Sequence, residues 1–310
     1  MMPKNRMLHW TPWALLAVAG TIGLALGGCP TFTPELENID ALVPLGNPPS
    51  NAKYIEVNGR KILYQKAGSA APKIILIAGL DENVRIWDKV FDPISEFATV
   101  VAYDRGGVGW SDRGEDPRTA SVIAKEMNDF LIALNVEPPY ILCAHSLAGL
   151  YARYYASSYP EKIAGLLLID TSHEDMWRRQ AMLLGPLQVA LSLDMMDVSE
   201  GLEGLFQIGA LGEYYNIENT TDQVRNERQI PWVPLLLLSQ DMDNFTALEN
   251  DESQPVVTLL FRELYWEQAT LSPKGLWREV PNTSHFIMVD QPQAVIDGLH
   301  WVIDQINSGK

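Results

Sequence analysis

The chain has 310 residues and a formal charge of −16 at neutral pH, from 39 acidic against 23 basic side chains. Hydrophobic residues make up 47%, and nine tryptophans and eleven tyrosines are available to fill a large core. So acidic a protein is a poor partner for nucleic acid or for the charge of anionic lipid. With only two cysteines and no Cys/His cluster at ligand spacing, no metal and no organic cofactor is expected.

Residues 1–28 read as an export signal. Lys4 and Arg6 precede an uncharged apolar run, and small residues follow it. The run is shorter than the about 20 residues that a membrane span needs. Its end, Leu26-Gly27-Gly28-Cys29, resembles a bacterial lipobox. That resemblance implies lipidation of Cys29 and an exported, membrane-anchored lipoprotein. Pro30 in place of aspartate favours the outer membrane if the cell is Gram-negative. A plain signal peptide or an uncleaved anchor is the alternative. Several acyl chains, at about 0.8 kcal/mol per buried CH₂, make a durable anchor. Residues 29–52 follow as a tether, with five prolines between positions 30 and 50 and no sustained period. Cys143 is then left alone, a small hydrophobe in an apolar strand.

A single domain is predicted over 53–310. It begins with a strand pair turning at Asn58-Gly59, a strong hairpin signal. "KIILIAGL" and "ATVVAYD" are apolar enough for strands buried on both faces. A helix over 120–136 leads to the strand "YILCA", the helix "LAGLYARYYASSY" and the strand "AGLLLID". "VPLLLLSQ" is one more buried strand, and "AVIDGLHWVIDQI" a closing amphipathic helix. Strands alternating with helices predict an α/β fold whose mostly parallel central sheet is flanked by helices. The alternation breaks over about 174–232, a Met-, Leu- and Gly-rich helical insertion. Placed beyond a strand end, it is expected to form a lid over an apolar pocket, with simple packing on the sheet as the alternative.

Ser146 stands where the strand "YILCA" gives way to a helix, the layout of a nucleophile elbow. The usual flanking glycines of G-x-S-x-G are replaced by Ala144 and Ala148, with Gly149 one step further on. His285, in "VPNTSHFIMVDQP" before the last helix, is the candidate base among five histidines.

"DRGGVGWSD" (104–112), "AHSLAGLYARYYASSYPEKIAGLLLID" through the elbow, and "TSHFIMVDQPQAVIDGL" at the base resemble the α/β-hydrolase fold superfamily, in its serine esterase and lipase-like branch. The resemblance covers nearly all of 53–310. It implies the order serine, acid, histidine and an oxyanion hole of two backbone N–H groups. Leu147, directly after the serine, and Leu80, in the loop after "KIILI", are the donors it points to; Ala78-Gly79 stands where relatives usually have His-Gly. The acid is Asp170, which ends "LLLID", or alternatively Asp243, which follows the next strand. "DRGGVGWSD" is expected to shape a loop near the pocket.

The implied reaction is hydrolysis of a carboxylic ester of a small or medium apolar substrate through an acyl-enzyme. Serine in place of aspartate argues against dehalogenase and epoxide hydrolase chemistry, which the fold also hosts. A thioester, lactone, amide or β-diketone substrate, and a catalytically silent lipid-anchored binding protein, are the alternatives.

Overall fold

The computed structural model describes residues 46–184, 208–227, 230–243, 245 and 254–309. The signal segment, Cys29 and most of the tether lie outside the described residues, as do 185–207 of the insertion. No helix among the described residues is long and apolar enough to cross a membrane.

Eight strands form one sheet in the order β1-β2-β4-β3-β5-β6-β7-β8. β1 (Lys53–Val57) and β2 (Arg60–Ala67) are the antiparallel hairpin, and β2 also runs antiparallel to β4 (Thr99–Tyr103). The remaining strands, β3 (Lys73–Ile77), β5 (Tyr140–His145), β6 (Ile163–Ile169), β7 (Leu235–Ser239) and β8 (Gly275–Glu279), continue parallel from β4. All residues of β5 and β7 are buried, as strands covered on both faces require.

Two apolar layers cover the sheet. On one face lie α2 (Ala120–Ala133) and α3 (Ala148–Ser158), with Phe130, Tyr151 and Tyr155 against the sheet. On the other lie α1 (Asp88–Ser95) and, later in the chain, α9 (Pro292–Ser308), through Phe91, Ile94, Leu299 and Val302. Side-chain alternation along β5 divides it between them: Tyr140, Leu142 and Ala144 face the first layer, Ile141 and Cys143 the second. Cys143 is a free, buried thiol, and burial holds its proton on well above the ordinary cysteine range.

The span read as an insertion contains α4 (Met176–Leu184), α5 (Ile208–Tyr215) and α6 (Ile217–Asn226). α6 packs on α2 and α3 through Ile217 and Val224 and donates side-chain caps to α2: Thr220 Oγ1 and Gln223 Oε1 accept the N–H groups of Ala120 and Ser121. α7 (Gln254–Ala269) precedes β8, and the single turn α8 (Ile287–Asp290) precedes α9.

Candidate active site

The residues of interest leave six neighbouring strands at their carboxyl ends, where open α/β sheets gather ligands. Gly79 and Leu80 follow β3, Arg105 follows β4, Ser146 follows β5, Asp170 follows β6, Gln240 follows β7 and His285 follows β8. Long sequence separations thus collapse onto one sheet edge.

Ser146 has φ +55°, a left-handed conformation that costs a non-glycine residue about 1–3 kcal/mol unless its surroundings hold it. Three backbone hydrogen bonds do so. The Ser146 N–H donates to Ile169 O at 3.0 Å, and its carbonyl accepts from Gly149 N at 3.0 Å and Ser172 N at 3.1 Å. Ala144 and Ala148 are both fully buried. The close approach falls instead at Gly149, where a Cβ would lie 2.4 Å from Thr171 Cβ. The glycine that lets the helix meet the exit of β6 is therefore one residue later than in the usual motif.

Gly79 lies against the serine: a Cβ there would meet Ser146 Cβ at 3.0 Å and Glu82 Oε2 at 2.9 Å. The backbone of the loop that carries Leu80 is thereby brought beside Ser146. Leu147 immediately precedes the first turn of α3, where N–H groups have no partner within the helix.

His285 Nδ1 lies 2.5 Å from Asp170 Oδ2. Asp170 also accepts the Tyr265 hydroxyl at 2.7 Å, and the backbone N–H and side-chain amide of Gln240, each at 3.0 Å. A carboxylate among that many donors is an acceptor, so Nδ1 of His285 carries the proton of this contact. Asp170 is itself at φ +46°, and its N–H bonds to Leu238 O at 2.7 Å. Asp243, the other carboxylate considered, is exposed and pairs with Arg262 Nη2 at 2.8 Å. The structure brings Asp170, not Asp243, to His285.

Tyr265 was not legible as a site residue, since it occupies one apolar position of α7 among several. Burial and the charge of Asp170 hold its hydroxyl proton on, well above the ordinary tyrosine range, which keeps it a donor. Gln240 follows an apolar strand, and nothing in its local sequence marks it as a partner of Asp170.

A second His–carboxylate contact backs the first. The buried His145 meets Glu82 Oε2 at 2.7 Å through Nδ1 and His285 O at 3.0 Å through Nε2, and its ring centroid is 4.5 Å from that of His285. Glu82 Oε2 also accepts the Gly79 N–H at 2.6 Å. Burial pushes the Glu82 carboxyl up, but His145, His285 and the Gly79 N–H together hold it below its ordinary value. Burial likewise works against charge on His145, and the Glu82 carboxylate overcomes it and raises the imidazole. "DRGGVGWSD" folds around Asp104, which accepts the N–H groups of Val84 at 2.8 Å and Trp110 at 3.0 Å. Burial pushes the Asp104 carboxyl up to about 6.

Among the described residues, one carboxylate group could present three ligand atoms to a cation, namely Asp241, Asp243 and Glu279. Arg262 already lies within ion-pair distance of Asp243 and Glu279.

A family model described as the alpha/beta hydrolase fold matches residues 72–185. The uncharacterized protein YqjL of Bacillus subtilis (strain 168) is 24% identical over 232 residues, which cover 74% of this chain and 83% of YqjL. Among solved structures, the enol-lactonase of Burkholderia xenovorans LB400 superposes with a TM-score of 0.56 at 22% identity, over 80% of this chain and all of that one. A mutant epoxide hydrolase of Vigna radiata does so with a TM-score of 0.60 at 15% identity, over 82% and 98%. The strand order and these superpositions show that the chain has the α/β-hydrolase fold, the fold whose family model matches residues 72–185.

Proposed function

We propose that this protein is a serine hydrolase that cleaves a carboxylic ester of a small or medium apolar substrate through an acyl-enzyme. The observation that carries the proposal is the 2.5 Å contact of His285 with Asp170 at the sheet edge where Ser146 is held at positive φ. In this reading His285 Nε2 takes the Ser146 proton while Oγ bonds to the acyl carbon, and the carbonyl π electrons move onto oxygen. The N–H groups of Leu80 and Leu147 receive that oxyanion. As the tetrahedral adduct collapses, the imidazolium protonates the departing alkoxide. Water repeats the sequence on the acyl-enzyme and releases the acid. Asp170 holds the tautomer and balances the imidazolium charge.

The apolar character of the substrate is inferred from the insertion, whose α4 ends in the exposed Met182 and Leu183. Attachment to a membrane through lipid on Cys29 belongs to the same proposal and rests on the sequence Leu26–Cys29.

Hydrolysis of p-nitrophenyl esters from acetate to octanoate tests the reading. Ser146→Ala is expected to reduce kcat by about 10⁶-fold and Asp170→Asn by about 10⁴-fold, with Asp243→Asn near the parent. Equal loss in the two aspartate variants would contradict the assignment of the acid.

A further inference from the structure

Arg105 stands outside the serine–histidine–aspartate set, yet its guanidinium is buried at 2% exposure and its donors divide between two targets. Nε and Nη2 form a two-pronged contact with Glu213 of α5, at 2.7 and 2.8 Å. Nη1 donates to Ala78 O, and Nη2 also donates to Gly79 O at 2.8 Å. Glu213 is fully buried.

The Gly79 carbonyl and the Leu80 N–H belong to one planar peptide unit, in which the two point in opposite directions when the bond is trans; the cis bonds among the described residues all precede proline. Fixing the carbonyl oxygen therefore fixes where the N–H points. The preceding peptide is held at both ends, at Ala78 O by Arg105 and at Gly79 N by Glu82. A full positive charge on an amide oxygen also draws electron density from its nitrogen and strengthens the N–H as a donor. Ordinary loop closure needs neither a buried cation nor its buried counter-ion. Breaking such a pair strands a charge, so the arrangement has a continuing cost that a purely structural contact could avoid.

We propose that Arg105 and Glu213 are positioning residues of the oxyanion hole, through which the helical insertion sets the direction and donor strength of the Leu80 N–H. This rests on the serine hydrolase reading above. The guanidinium–carboxylate pair is geometrically demanding, because only arginine offers a planar fork that can engage a carboxylate and two carbonyls together. Lysine keeps the charge and loses that fork.

The test compares Arg105→Lys and Glu213→Gln with the parent on a p-nitrophenyl ester, together with binding of two ketones. An alkyl trifluoromethyl ketone adds to Ser146 and places an oxyanion in the hole. The corresponding methyl ketone binds without that charge. Each variant is expected to lose about 10-fold or more in kcat with KM little changed, a fraction of the loss seen when one oxyanion donor is deleted. Trifluoromethyl ketone affinity should fall by the same factor, while methyl ketone affinity holds. If Arg105→Lys does not fold, Glu213→Gln, which keeps the shape of the contact and removes its charge, decides the matter alone. Should Glu213→Gln also fail to fold, the pair acts as a fold element and the proposal is overturned. Equal losses for both ketones, or an unchanged kcat, would likewise overturn it. Fluorophosphonate labelling of the parent separates the two levels: a labelled Ser146 with indifferent variants sinks only this inference, whereas an unlabelled parent sinks the hydrolase reading with it.

Discussion

His145 precedes the candidate nucleophile by one residue, and both of its ring nitrogens face acceptors. Nδ1 meets a carboxylate oxygen that already receives the Gly79 N–H, and Nε2 meets the His285 carbonyl. Only an imidazolium donates from both nitrogens. His145 is therefore predicted to keep two ring protons to higher pH than a free imidazole, which a ¹⁵N NMR titration of the ring would read directly. Loss of the second proton at or below the ordinary histidine value would contradict the assignment. The sign of the linkage follows: a raised histidine contributes stability fully present below its ordinary value and lost as pH rises through its folded value. The same contacts tie His285 to the loop of Gly79, so the proposed base and the proposed oxyanion donor share one support. None of this is legible in the sequence, where Glu82 and His145 are 63 residues apart. Ser146 and His285, by contrast, could be picked out because their local contexts, a strand-to-helix turn and the loop before the last helix, are short-range signals. The choice between Asp170 and Asp243 could not be made that way. Both follow apolar strands, and the two are distinguished by tertiary contacts, those of His285, Tyr265 and Gln240 with Asp170.

The elements that fix the exit of β6 carry a buried ion pair. Arg153 of α3 donates to Glu174 at 2.7 Å, with both side chains almost completely buried. Burial pushes the Glu174 carboxyl up, but the adjacent Arg153 outweighs it and holds the value down at about 2. A depressed carboxylate contributes stability that is present above its ordinary value of 4.5 and lost as pH falls through about 2. The difference corresponds to about 3 kcal/mol. Glu174→Gln is expected to destabilise the protein by about that amount at pH 7, since Arg153 is left buried without a counter-ion. Urea midpoints should also fall less steeply between pH 4.5 and 2 in the variant than in the parent. Parallel pH profiles would show that the pair does not carry this titration. At this scale the buried strands were readable because they are continuous apolar runs. β8 was not: "GLWRE" is an edge strand of five residues whose Leu276 and Arg278 are exposed, and it follows α7 closely.

Across the whole molecule, the sheet's carboxyl edge turns sequence order into a site. β3 and β5 are neighbours although β4 lies between them in the chain, and this crossover sets the Gly79 loop beside Ser146. The alternation of strands and helices foretold a parallel sheet, but the ion pairs that join the insertion to it, such as Arg105 with Glu213, depend on tertiary geometry alone. With a charge of −16 the protein has little electrostatic attraction for anionic bilayers, so the proposed membrane attachment would rest on the lipid and not on surface charge. The proposed acylation of Cys29 predicts that the full chain sediments with membranes and releases on detergent treatment, and that Cys29→Ser shifts it to the soluble fraction or leaves it unprocessed. A Cys29→Ser protein processed and retained like the parent would contradict the lipoprotein reading.

The central claim is that Ser146 is an activated nucleophile, and the most direct measurement is covalent labelling with a fluorophosphonate, read by intact mass on the parent and on Ser146→Ala. One phosphonyl adduct on the parent and none on the variant is the predicted result. A well-folded parent that takes up no adduct, or a variant that is labelled equally, would contradict it.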